Sequence, residues 1–207
     1  MFTVLEAANS RGKAPMKHTG KLTGSPLLPK EVETYWGQLT SSHIKLAQMI
    51  CTGTEGLGEL IDKGSLGHVF ELPESSGQVV KITQEYDDGY TVWMEGFVLK
   101  NQDNPYVPQV SFYMRLKNGQ SIILMERLVG FKDAPYTRNV QQQQDMLLTI
   151  AEELAQGKAD EILEMDLPEG VFEILEFLMN YCADWMDVAE QNAMFRGETL
   201  VFTDPMV

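Results

Sequence analysis

The chain has 207 residues, 43% of them hydrophobic and 22% charged, enough for one sizeable core or two small lobes. No run of eighteen apolar residues occurs, and the first residues, MFTVLEAANSRGKAPMK, lack the charged start and apolar centre of a secretory signal, so no membrane contact is expected. A net charge of −14 opposes binding to nucleic-acid phosphates, while scattered histidines (His18, His43, His68) and two distant cysteines (Cys51, Cys182) lack metal-ligand spacing and suit free thiols in a reducing cytoplasm.

The charge is unevenly spread. Residues 1–30 carry Arg11, Lys13, Lys17, Lys21 and Lys30 against Glu6 alone, which leaves eleven basic and twenty-nine acidic residues for the rest. Residues 1–27 are rich in Gly, Lys, Ser, Thr and Pro without periodicity and read as a mobile basic arm. The acidic remainder is consistent with solubility, with recognition of basic proteins, or with mimicry of nucleic acid. From Pro29 the pattern turns helical: Val32, Tyr35, Trp36, Leu39, Ile44, Leu46, Ala47 and Ile50 share one face, and Gly53 and Gly56 end it. Residues 28–56 are therefore expected to form a helical extension packed outside the following domain.

Residues 57–130 change character. Leu57–Lys63, His68–Leu72 and Gln78–Thr83 read as short strands separated by Gly and Ser, followed by a helix over Tyr90–Lys100. Val110–Leu116 and Ser121–Leu128 flank Lys117-Asn118-Gly119-Gln120, where Asn-Gly is the strongest short hairpin signal. The expected order is strand, strand, strand, helix, strand, strand. Beyond Gly130 the chain is helical and acidic. Gln141–Gln156 is amphipathic, and Pro168–Cys182 is apolar on nearly every side, as in a central buried helix.

Four stretches carry candidate chemistry. Ile61-Asp62-Lys63-Gly64-Ser65-Leu66-Gly67-His68-Val69 spans a strand and turn in which Gly64 and Gly67 allow close backbone approach. Val79-Val80-Lys81-Ile82 places one lysine in an apolar strand. It is either exposed on the outer face of an edge strand or buried, and then it demands an anion; Glu95 on the next helix is the natural partner. Ile122 to Gly130 is an apolar strand ending in Glu126-Arg127-Leu128. Last, Asp187 precedes Asn192 by five positions, and Asp204 follows after the turn Arg196-Gly197-Glu198 and the apolar run Leu200-Val201-Phe202.

In this order the four stretches resemble the protein-kinase superfamily over residues 57–207. Within it the chain is similar to the early Ser/Thr protein kinases of T-seven-like bacteriophages, which share compressed lobes, Asn-x-Met-Phe (here Asn192-Ala193-Met194-Phe195) and Thr-Asp-Pro (Thr203-Asp204-Pro205). The resemblance implies an α+β, two-lobed fold: a small antiparallel-sheet lobe over 57–130, a hinge near Glu126, and a reduced acidic helical lobe over 131–207. It implies ATP and Mg2+, with Gly64, Gly67 and Val69 around the nucleotide and Lys81, held by Glu95, on its phosphates. The backbone of Glu126 to Leu128 would meet the adenine edge, Asn192 and Asp204 would hold magnesium, and Asp187 would align the accepting hydroxyl. The substrates implied are host bacterial proteins, modified in the host cytoplasm during takeover, with the Ser/Thr-rich arm as a further acceptor. Three departures stand out: Trp185 replaces the usual His two before Asp187, no Gly follows Asp204, and the sequence stops three residues after Asp204. They leave a silent kinase fold that binds and inhibits a host protein, or an acidic nucleic-acid mimic, as alternatives.

Overall fold

Side-chain alternation decides the first element. Tyr35 packs toward one apolar cluster and its neighbour Trp36 toward another, a period of two that belongs to a strand. In the computed structural model, which describes residues 32–37, 40–52, 58–63, 67–72, 77–84, 88–182 and 186–206, Val32–Gly37 is accordingly strand β1 and not the start of a helix. The correction has a physical cause: β-branched and aromatic side chains at 32, 34, 35 and 36 suit a pleated surface, and the strand Val110–Leu116 (β5) supplies the ladder, with Tyr35 opposite Met114 and Trp36 opposite Tyr113. The helix α1 begins only at Ser41 and runs to Thr52. Residues 28–56 are thus not a separate helical extension, since β1 is an integral edge of the main sheet; Gly53 and Gly56 lie outside the described residues.

Strands β2 (Leu60–Lys63), β3 (Gly67–Glu71) and β4 (Gln78–Thr83) precede helix α2 (Asp88–Gly96), and β5 (Val110–Leu116) and β6 (Ser121–Glu126) follow it. With β1 they form one antiparallel six-stranded sheet ordered β1-β5-β6-β4-β3-β2. The β5–β6 connection is the expected Asn-Gly turn, with Gly119 at φ +89°, a conformation that disfavours any side chain. The expected helix over 90–100 divides: α2 stops at Gly96, and Val98–Lys100 forms a single 3-10 turn.

Both faces of the sheet are covered. On the outer face Val80, Ile82, Phe112, Met114, Ile122 and Leu124 bury against α1, with the His43 ring stacked on Phe112 at 4.2 Å. The inner face, with Val79, Tyr113, Ile123 and Met125, packs in the same core as residues of α2, α3 (Arg138–Ala155) and α5 (Glu169–Cys182). A short helix α4 (Ala159–Leu163), not expected from the pattern, joins α3 to α5. Helix α5 is amphipathic, not buried all round: Val171, Ile174, Leu175 and Leu178 are fully buried, while Glu176 and Asn180 face solvent. A second sheet, β7-β8-β9, is built from Val129–Gly130, Ala193–Arg196 and Thr199–Phe202. The architecture is mixed α+β, and among the described residues no helix is long and apolar enough to cross a membrane.

Candidate functional site

Lys81 lies in the middle of β4, opposite Val69 on β3 and Ile123 on β6. Directly opposed residues share a face, so all three point to the inner side of the sheet, not to the outer face of an edge strand. An ammonium there needs an anion. It finds Asp204: Nζ donates to Oδ2 at 2.8 Å, and the ammonium also sits 3.6 Å from the centre of the Tyr90 ring, a cation–π contact from α2. The two side chains are 14% and 22% exposed, so water screens this pair only in part.

The expected partner, Glu95, is engaged elsewhere. Its Oε1 accepts from the Tyr113 hydroxyl at 2.8 Å and stands 3.8 Å from the Arg115 guanidinium, both on β5. Tyr113 is itself buried and bonded to Ser121 Oγ at 3.0 Å; burial, reinforced by the Glu95 charge, pushes its hydroxyl well above the ordinary tyrosine range. The Lys81–Glu95 pairing is therefore corrected to Lys81–Asp204, and Glu95 belongs to a polar cluster with β5.

Asp204 reaches Lys81 because the β8–β9 hairpin returns the chain to its own start. Gly197, at φ +59°, makes the turn, and the hairpin closes on Asn192, whose backbone oxygen accepts from Thr203 N at 2.9 Å, Thr203 Oγ1 at 2.9 Å and Asp204 N at 3.2 Å. The Asn192 amide nitrogen donates to Asp187 twice, to its backbone oxygen at 2.8 Å and to Oδ2 at 2.7 Å, and Asp187 N donates to Pro205 O at 2.9 Å. Three residues singled out by spacing alone are thus interlocked at one end of the small sheet, with Lys81 docked on the third.

The electrostatics are those of a crowded acidic site. Burial raises the Asp204 carboxyl above the ordinary aspartate value; Lys81 pulls it back, and the nearby Asp187 charge pushes it up again. Burial wins over the short contact with Lys81. Asp204 Oδ1 is buried without a hydrogen-bond partner, a costly arrangement for a carboxylate oxygen. With its amide nitrogen committed to Asp187, Asn192 has its amide oxygen left for a cation. The Asp204 carboxylate and the Asn192 amide oxygen are hard-oxygen donors, the kind that Mg2+ takes; among the described residues no group of three or more His, Cys, Asp or Glu gathers.

The remaining predicted residues divide. Gly64 lies outside the described residues, as does Trp185. Gly67 opens β3, and a Cβ there would meet Ile82 O at 2.9 Å, so the strand pairing itself calls for glycine. Val69 shares the Lys81 face and packs on the inner core. At the expected hinge, Glu126 N donates to Gln109 O at 3.0 Å and Arg127 N to Gly77 O at 2.8 Å, so two backbone donors assigned to an adenine edge are already used; Leu128 lies in the link between β6 and β7. The Glu126 carboxylate is gripped by Arg196, a partner that sequence reasoning missed because 70 positions separate the two and no local motif joins them. No protein-family model matches the chain, and no curated protein matches it.

Proposed function

We propose that the chain is a kinase-like phosphotransferase that moves the γ-phosphoryl group of ATP to a Ser or Thr hydroxyl on host bacterial proteins. The observation that carries this reading is the meeting of Lys81 and Asp204 at 2.8 Å, across 123 positions of sequence, beside an Asp187–Asn192 pair joined at 2.7 Å. Support also comes from the element order, three strands, a helix and two strands ahead of the acidic helices, and from the hairpin between Asn192 and Asp204.

Each residue then has a role its environment suits. Lys81, on a firm central strand, neutralises phosphate oxygens. Asp187, positioned by Pro205 O and the Asn192 amide, accepts the hydrogen bond of the attacking hydroxyl and aligns it. Asn192 and Asp204 would hold Mg2+, whose chemistry is to neutralise charge on the transferring phosphoryl group. Catalysis of this kind is mostly positioning and charge stabilisation. A second reading, a kinase-like scaffold that binds a host protein without turnover, is favoured by one observation: Glu95 is tied to Tyr113 and Arg115 and gives Lys81 no support.

The test is incubation with γ-labelled ATP and magnesium, with and without bacterial lysate, beside Lys81→Ala and Asp187→Asn. Label transfer by the parent protein that is lost in both variants supports phosphotransfer. A parent protein that transfers nothing, yet is stabilised against heat by ATP with magnesium, supports the scaffold. The absence of both responses removes nucleotide chemistry from the site.

A further inference from the structure

Lys81 lies in the larger sheet and Asp204 two residues beyond the last strand of the smaller one, and the chain passes from the larger sheet to the smaller once, through Arg127 and Leu128 between β6 and β7. A joint of two residues and a shared apolar core, which is indifferent to direction, do not by themselves fix one sheet's register against the other. Arg196, the last residue of β8, spans it. Its Nε donates to Glu126 Oε2 at 2.7 Å and its Nη2 to Glu126 Oε1, a two-pronged pair whose planar geometry sets direction as well as distance. Nη1 donates to Pro105 O and Nη2 to Val107 O, each at 2.9 Å. Glu126 Oε1 is also held by Gln109 N at 2.7 Å, and the adjoining strand repeats the attachment through Phe202 N to Tyr106 O at 2.9 Å.

The anchor points bracket the site. Glu126 ends β6 opposite Gln78, three residues before Lys81 on β4. Arg196 lies four residues beyond Asn192, on the hairpin that carries Asp204 at its other end. We infer that Arg196 is a positioning residue: its clamp on Glu126 and on the 105–107 backbone sets the distance between the Lys81 ammonium and the Asp204 carboxylate. The consequence for turnover rests on the phosphotransfer reading; the control of the distance does not.

Acetylation by a water-soluble succinimidyl ester, read by mass spectrometry, measures how often Lys81 leaves Asp204, with exposed Lys117 as internal reference. In Arg196→Lys, which keeps the charge but loses the fork, the Lys81 rate rises several-fold relative to Lys117 while the melting transition stays cooperative. Glu126→Gln, near-isosteric, gives the same result from the other side of the clamp. In the phosphotransfer assay both variants lose kcat by roughly a hundredfold, the scale of an ångström-sized misplacement, with little change in the KM for ATP. An unchanged Lys81 rate in folded variants overturns the inference. Loss of the fold in both variants also overturns it, since Arg196 would then be needed for folding and not for alignment. A parent protein without turnover refutes the phosphotransfer reading and leaves the acetylation comparison intact.

Discussion

The two sheets share one apolar core but differ in what else holds them. The six-stranded sheet is fixed by apolar burial on both faces, against α1 outside and the helical core inside. The three-stranded sheet buries Phe195, Leu200 and Phe202, but its attachments at the rim are hydrogen bonds: Gln143 Nε2 to Glu198 O and Leu200 N to Gln143 Oε1, each at 2.7 Å, and the Arg196 clamp. Apolar burial is strong and indifferent to direction, whereas hydrogen bonds are weaker and directional. The shared apolar core therefore supplies stability, and the hydrogen bonds at the rim of the small sheet supply the aim of Asn192 and Asp204.

Substitutions that strike one sheet and not the other sharpen this contrast. Phe112→Ala, beneath α1 on the outer face, is expected to cost about 3–5 kcal/mol in urea denaturation, while the Lys81 acetylation rate of the molecules that remain folded is unchanged. Lys81→Met leaves Asp204 without its cation in a partly dry site and should cost about 3 kcal/mol by the same measurement. Gln143→Ala leaves Leu200 N without its acceptor and should cost about 1–2 kcal/mol. Hydrogen exchange in that variant should quicken in β8 and β9 before β4 and β6; uniform quickening would mean that the two sheets are a single unit.

The smallest effect is a slope. Because the folded Asp204 carboxyl lies above its ordinary value of 3.8, the folded protein holds that proton more tightly than the unfolded chain. Its contribution to stability is complete below that value and is lost as pH rises through the raised folded value. The stability of the parent protein relative to Asp204→Asn should thus decline with pH over this window. A flat or rising difference in denaturation midpoints would show that Lys81, not burial, governs the group.

Much of this was legible in the residues. Strands β3 to β6 show short β-rich runs with turn residues between them, and the Asp187, Asn192 and Asp204 spacing did correspond to residues that meet. What was not legible depends on distant partners. Val32–Gly37 fits a helical spacing as well as a strand until β5, more than seventy positions later, provides a ladder. Lys81 had a nearby carboxylate in Glu95, but Tyr113 and Arg115 compete for that carboxylate and a distant one serves the lysine. Hydrophobic period reports which face is buried, not which charges meet across a core.

The long separation between Lys81 and Asp204 bears on the order of assembly. Hairpins such as β3–β4 and β5–β6 close over a few residues, whereas this pair must close a loop of 123 positions, and long-range contacts form late. If Lys81 enters an apolar interior before its counterion arrives, the barrier includes an unpaired charge that the native state does not. Stopped-flow refolding of Lys81→Met should therefore be faster than that of the parent chain, although its native state is less stable and unfolds sooner.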